Sequence, residues 1–225
     1  MVVTQSCTKQ IENAEDVIKQ MHAAYEGKWY KNMTFRQETS FYAGDSLQRQ
    51  QTWYEAAKIG EGLVIKFDSI NSGNGYIFKK DSMYIYTNGN LANKAPRVHD
   101  ILELGFNIYR QKAEVTIQKL KKAGLDFTFF EETDTHYLIG DAKTKQAFIE
   151  KERLLFSKII SKQGANTSRI EFNKYEPLGD AWISPEVLFF ANDKMTMKEV
   201  YFDIEAPETL PEHMFAGGPF SAVVW

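Results

Sequence analysis

The 225-residue chain is 43% hydrophobic and 14% aromatic, which is enough to bury a core and too apolar for a disordered chain. Its 27 Lys+Arg against 30 Asp+Glu give a net charge of −3 with no basic block, so nucleic-acid binding has no electrostatic footing. No apolar run approaches the roughly 20 residues that span a bilayer, and a single cysteine, Cys7, excludes a disulfide framework within one chain.

The opening 1-MVVTQSC-7 lacks the basic start and long apolar stretch of a signal peptide, which reads either as a cytoplasmic protein or as one whose leader has been removed. Cys7 raises the alternative of a lipid-anchored cysteine, although Thr4-Gln5-Ser6 matches poorly the Leu-small-small pattern that precedes one. Residues 1–12 read as a leader remnant or flexible segment. A helix is expected from Asn13 to Gly27: Asn13 caps it, Asp16 lies in its first turn, and Val17, Ile18, Met21, Ala24 and Tyr25 form one apolar stripe.

Strands follow over 29-WYKNMTFRQETSFY-42, 48-QRQQTWYEAA-57 and 62-GLVIKFDS-69. In the last of these, Leu63, Ile65 and Phe67 share one face while Val64, Lys66 and Asp68 share the other. A two-residue turn at Lys80-Asp81 would pair Phe78 with Met83 and Tyr76 with Ile85, making one apolar patch of the four. Asn88-Gly89 is a type I′ hairpin signal that returns the chain through 90-NLANKA-95.

The period then becomes helical. Pro96 to about Phe106 carries Val98, Ile101, Leu102 and Leu104; about Ile108 to Lys122 carries Ala113, Ile117 and Leu120, with Gly124 just beyond. Strands resume over 125–132, 135–141, 145–152, 153–162, 166–177, 180–191 and 195–206, with a turn at Asn192-Asp193. One continuous antiparallel meander is the simplest organisation, without linker or repeat, over a single domain 13–225.

The expected fold class is therefore mainly β with a few helices: a curved antiparallel sheet of about eleven strands with an N-terminal helix and two central helices. So large a sheet must curl, and three modest helices underfill its concave face. A hydrophobic cavity covered by the central helices is one solution, and a fully packed sandwich is the other.

Local chemistry is sparse. His22, His99, His136 and His213 are isolated, and no nucleophile elbow, phosphate loop or paired-cysteine zinc site occurs. Glu131, Glu132 and Asp134 read as solvated charge at a hairpin end, and the sequons at Asn32 and Asn166 are of a kind common by chance. Nothing points to an enzyme or a cofactor; an esterase would have no triad to use.

The order of elements resembles a known family. A helix precedes 34-TFRQETSFY-42, then 51-QTWYEAA-57, then 60-GEGLVIKF-67 in the place of a "pG-l-R-i-x-F" strand, then the hairpin 81-DSMYIY-86. Paired late strands within 153–204 and a closing 210-LPEHMF-215 complete the pattern. This is similar to the LolA-like outer-membrane lipoprotein carriers. The resemblance implies an unclosed half-barrel with a two-helix lid and a periplasmic protein whose leader has been removed. It also implies a cargo of lipoprotein acyl chains or other lipid carried toward the outer membrane, with an inner-membrane transporter and an outer-membrane receptor as partners. The cavity wall is then expected from Leu63, Ile65, Phe67, Tyr76, Phe78, Met83 and Ile85, and the lid underside from Ile101, Leu102, Leu104, Ile117 and Leu120.

Two departures stand out. The family's best-studied members place an Arg-Pro, whose arginine holds the lid closed, where this chain has 55-EAAKIGEG-62 with Lys58 as the nearest cation. Lys66 stands at the basic position of the "l-R-i" strand and is expected to face outward. The rival readings are a lipid-anchored acceptor acylated at Cys7, and an interaction domain with a filled core whose aromatic tail 219-PFSAVVW-225 docks on a partner.

Overall fold

The computed structural model describes residues 10–215 and 219–225, so Cys7 lies outside the described residues. Helix α1 (Ala14–Tyr25) begins where Asn13 accepts a hydrogen bond from the Asp16 N–H at 3.0 Å, and it buries Val17, Ile18, Met21 and Tyr25. A first meander follows: β1 (Asn32–Ala43), β2 (Ser46–Lys58), β3 (Gly62–Phe67), β4 (Gly75–Lys79), β5 (Ser82–Thr87) and β6 (Asn90–Pro96). Helix α2 (Asp100–Gly105), a 3₁₀ turn (Asn107–Tyr109) and helix α3 (Ala113–Lys122) come next. The second meander is β7 (Phe130–Glu132), β8 (His136–Ile139), β9 (Lys145–Glu150), β10 (Phe156–Gln163) and β11 (Asn166–Asn173). A ribbon of β12 (Glu176–Leu178) and β13 (Ala181–Ile183) leads into the closing strands β14 (Glu186–Ala191) and β15 (Lys194–Glu205).

Among the described residues, thirteen strands form one antiparallel sheet, in the order β6-β5-β4-β3-β2-β1-β15-β14-β11-β10-β9-β8-β7. The sheet is unclosed, with β6 and β7 as its edges. It has thirteen strands where about eleven were expected, and 166–177 and 180–191 each divide besides, at Lys174-Tyr175 and Ser184-Pro185, to give the separate two-stranded β12–β13 ribbon. It is also two meanders rather than one. The long strand β1 pairs with β15 over Thr34↔Glu205 to Phe41↔Met197, so residues far apart in the chain meet at the centre of the sheet.

The hairpin registers follow their turn chemistry. Phe78 opposes Met83 and Tyr76 opposes Ile85 across Lys80-Asp81. Asn88 and Gly89 both take positive φ (50° and 80°), as do Lys80-Asp81 and Asn192-Asp193; a type I′ turn requires this, and its twist matches that of the flanking strands.

The helical middle departs from its pattern at both ends. Pro96 is the last residue of β6, since its ring suits an edge strand, and α2 starts only where the His99 ring nitrogen accepts the Leu102 N–H at 3.3 Å. The second expected helix is interrupted at 110–112 and survives as α3. Residues 125–129, expected to begin a strand, make a turn in which Asp126 accepts from the Thr128 N–H and hydroxyl. Helix α1 and the central helices pack together inside the curl, where Trp29 stacks on Tyr109 at 3.7 Å between ring centres.

The convex face is covered as well. Residues 210–215 and 219–225 lie across it, packing Leu210, Met214, Phe215, Phe220 and Val223 on Ala56, Val64 and Ile77. Strand β3 is thus buried on both sides. Lys66, expected outward, is fully buried: its Nζ donates to the Phe220 carbonyl at 2.9 Å and lies over the Phe220 ring, and burial pulls its pKa down to about 8. The tail 219–225 is likewise no free aromatic strand, because Phe220 is buried and stacks on Tyr86 at 4.4 Å. Gly62 is needed where these layers meet: a Cβ there would sit 2.6 Å from the Phe78 carbonyl oxygen and 2.9 Å from the Phe215 ring.

Candidate functional site

Alternation along the central strands aims one set of side chains into the curl. On β1 these are Met33, Phe35, Gln37 and Thr39; on β2, Trp53, Glu55 and Ala57; on β15, Met197, Glu199 and Tyr201. The helices fill the half of the curl over β8–β10, where Ile139, Ala147, Ile149 and Ile159 are buried with α1. Over the other half they leave a cavity of about 480 Å³, within the range of roughly 300–1,000 Å³ common for small-molecule sites.

Of the residues expected on the wall, Leu63, Ile65, Tyr76, Phe78 and Met83 line this cavity. Phe67 stands outside it, between Trp53, tilted at 5.2 Å, and Tyr76, edge-on at 5.0 Å between ring centres, and Ile85 is half-buried. From the helical segment, Ile101 and Leu102 reach the cavity. Leu104, Ile117 and Leu120 are buried among the helices instead. The opposite wall comes from the second meander through Ile170, Phe172, Val187 and Phe189.

Polar groups that sequence reasoning passed over lie on the floor. Gln37 and Thr39 are buried and joined by a 2.8 Å hydrogen bond. Glu55 and Glu199 are only 5% and 8% exposed. Burial pushes the Glu199 carboxyl up to about 7, offset in part by donors on Tyr201 and Gln37; the Tyr201 hydroxyl donates to it at 3.2 Å. Burial, aided by the like charge of Glu199, pushes Glu55 well above the usual carboxylate range. The signal for these residues was the period-two pattern of 195-MTMKEVYFDI-204 and 51-QTWYEAA-57, in which a Glu occupies an inward position between apolar neighbours.

Where the helices begin, Arg97, His99 and Asp100 reach the cavity. Burial and the adjacent Arg97 guanidinium lower His99 to about 4, so it is a neutral acceptor for the α2 N-terminus. Asp100 pairs with Lys145 at 2.5 Å. A second, more polar hollow of about 510 Å³ shares Phe78, Arg97, Val98, His99 and Leu102 with the first and adds Lys79, Asp81, Glu103 and Lys119.

The helical segment is fastened to the β2–β3 turn without an arginine. The Gly60 N–H donates to Asn107 Oδ1 at 2.8 Å, Asn107 Nδ2 donates to Glu103 at 2.9 Å, and Lys119 pairs with the same Glu103 oxygen at 2.9 Å. The attachment therefore falls within 55-EAAKIGEG-62, through a backbone N–H and not through Lys58.

Neither a family model nor a curated protein matches the sequence. Solved structures do. A LolA superfamily protein from Nitrosomonas europaea is similar with a TM-score of 0.57 at 11% identity, over 91% of this chain and 98% of that one. A DUF1329 family protein from Desulfovibrio piger gives 0.61 at 12% identity, over 89% and 95%. A domain from Vibrio parahaemolyticus, assigned to outer membrane lipoprotein sorting, gives 0.57 at 12% identity over 89% and 95%. The unclosed antiparallel half-barrel with helices in its curl, shared along nearly the whole length of these chains, is the LolA-like fold.

Proposed function

We propose that residues 13–225 act as one lipid-binding unit of the cell envelope: a periplasmic carrier that shields acyl chains of lipoproteins or other lipids on the way to the outer membrane. The observation that carries the reading is the roughly 480 Å³ cavity, walled by Leu63, Ile65, Tyr76, Phe78 and Met83 and covered by Ile101 and Leu102. The lipoprotein-sorting domain of like fold supports the same class of cargo. The work is burial and not chemistry. Each methylene taken from water contributes about 0.8 kcal/mol, so a single chain of about ten would dominate affinity. Binding this strong reverses only if the helical cover or the sheet moves, and a membrane transporter and a receptor at either end of the route would supply that bias. No helix among the described residues is long and apolar enough to cross a membrane.

The test is mass spectrometry of organic extracts from the native protein, purified without detergent from its own envelope. Near-stoichiometric lipid or acylated peptide is the expected outcome. A clean extract, together with no binding of an apolar fluorescent probe, overturns the reading in favour of an interaction domain.

A further inference from the structure

Acyl chains alone give no reason for two carboxyl groups in the floor of a greasy cavity. Glu55 on β2 lies between Phe35 and Ile65 of the neighbouring strands, and Glu199 on β15 lies between Thr39 and Val187. Glu199 is held by Tyr201. Glu55 is 95% removed from solvent, lines the cavity, and has no hydrogen bond or ion pair among the described residues. The charged group that acts on it is Glu199, of like sign. Of the other ionisable groups around the cavity, His99 caps α2, Asp100 belongs to Lys145, and Arg97 lies against Phe78 at 5.9 Å from the ring centre. A carboxyl so enclosed, with its side chain on the cavity wall, gains from a hydrogen-bond partner. Here the partner has room to be a ligand.

We propose that the cavity takes an amphiphile whose buried polar group donates hydrogen bonds to Glu55 and Glu199 (an amine, an amide N–H or a hydroxyl) and that it turns away amphiphiles ending in a carboxylate. The inference rests on the lipid-carrier reading and adds the chemistry of the head group to it. A free fatty-acid anion would bring a further negative charge to a floor where burial already disfavours ionised carboxyls, and the arginine of the lining, Arg97, belongs to the segment between β6 and α2 and not to that floor. A donor head satisfies Glu55 while its chain lies along Leu63, Ile65, Val187 and Phe189.

The experiment is displacement of N-phenyl-1-naphthylamine from the full chain by dodecylamine, dodecanol and dodecanoate at about pH 7.5, with equal tails so that only the head differs. The amine and the alcohol are expected to displace the probe at roughly tenfold lower concentration than the carboxylate. In the E55Q/E199Q variant the three are expected to converge, because the amide side chains both donate and accept. E55Q alone, which leaves the Tyr201–Glu199 contact in place, serves if the double variant does not fold. Equal displacement by all three in the native chain, or a preference that survives E55Q, overturns the inference and leaves the carrier standing. Failure of the probe and of every amphiphile to bind brings down the carrier and the inference with it.

Discussion

Glu199 shows how a single buried side chain sets conditions on the whole. Its folded pKa of about 7 lies above the unfolded carboxylate value, so the folded state binds more protons than the unfolded one between about pH 4.5 and 7. Stability contributed by the protonated group is intact below that window and falls as pH rises through it. Glu199→Gln is therefore expected to raise unfolding free energy at pH 8 by about 2 kcal/mol and to flatten its decline between pH 5 and 8, read by urea titration at several pH values. An unchanged slope would mean that this carboxyl does not control the decline. Such a residue was hard to see in sequence. A Glu between apolar neighbours at period two has the same spelling on an exposed face, and the β1–β15 register that buries it is made by residues remote in the chain.

At the scale of elements, local chemistry predicted what local chemistry decides. The Asn13 cap, the Lys80-Asp81 and Asn88-Gly89 turns and the Phe78↔Met83 register were legible because they depend on residues near each other in sequence. The C-terminal segment was not. Nothing in 219-PFSAVVW-225 distinguishes a tail that packs on its own sheet from one that packs on a partner, and Lys66 beside Val64 made the covered face of β3 read as a solvent face. The two-helix segment was readable as amphipathic, but its fastening was not, since it runs through a backbone N–H. Asn107→Ala removes the acceptor of the exposed Gly60 N–H and one donor to the buried Glu103, which keeps Lys119 and Gln111. It is expected to cost about 1 kcal/mol and to speed probe release measured by stopped-flow mixing, with the far-UV spectrum unchanged. Probe release at the native rate would show that the link does not restrain the cover.

On the scale of the molecule, the sheet has a firm middle and soft borders. The long strands β1, β2 and β15 pair along most of their lengths, whereas β6 is exposed over nearly all its residues and β7 has only three. Native-state hydrogen exchange should give the highest protection in β1 and β15 and the lowest in β6 and β7. Uniform protection across the thirteen strands would contradict this. The soft borders have a mechanical corollary. The helical segment leaves from β6, one rim of the sheet, and rejoins at β7, the other, so it is strung between the two rims like a cord across a bow. It has no free end on which to swing. Slack in the cord and spread of the rims must change together, and whatever flattens the bow from its convex back draws the cord taut over the hollow without touching what lies inside.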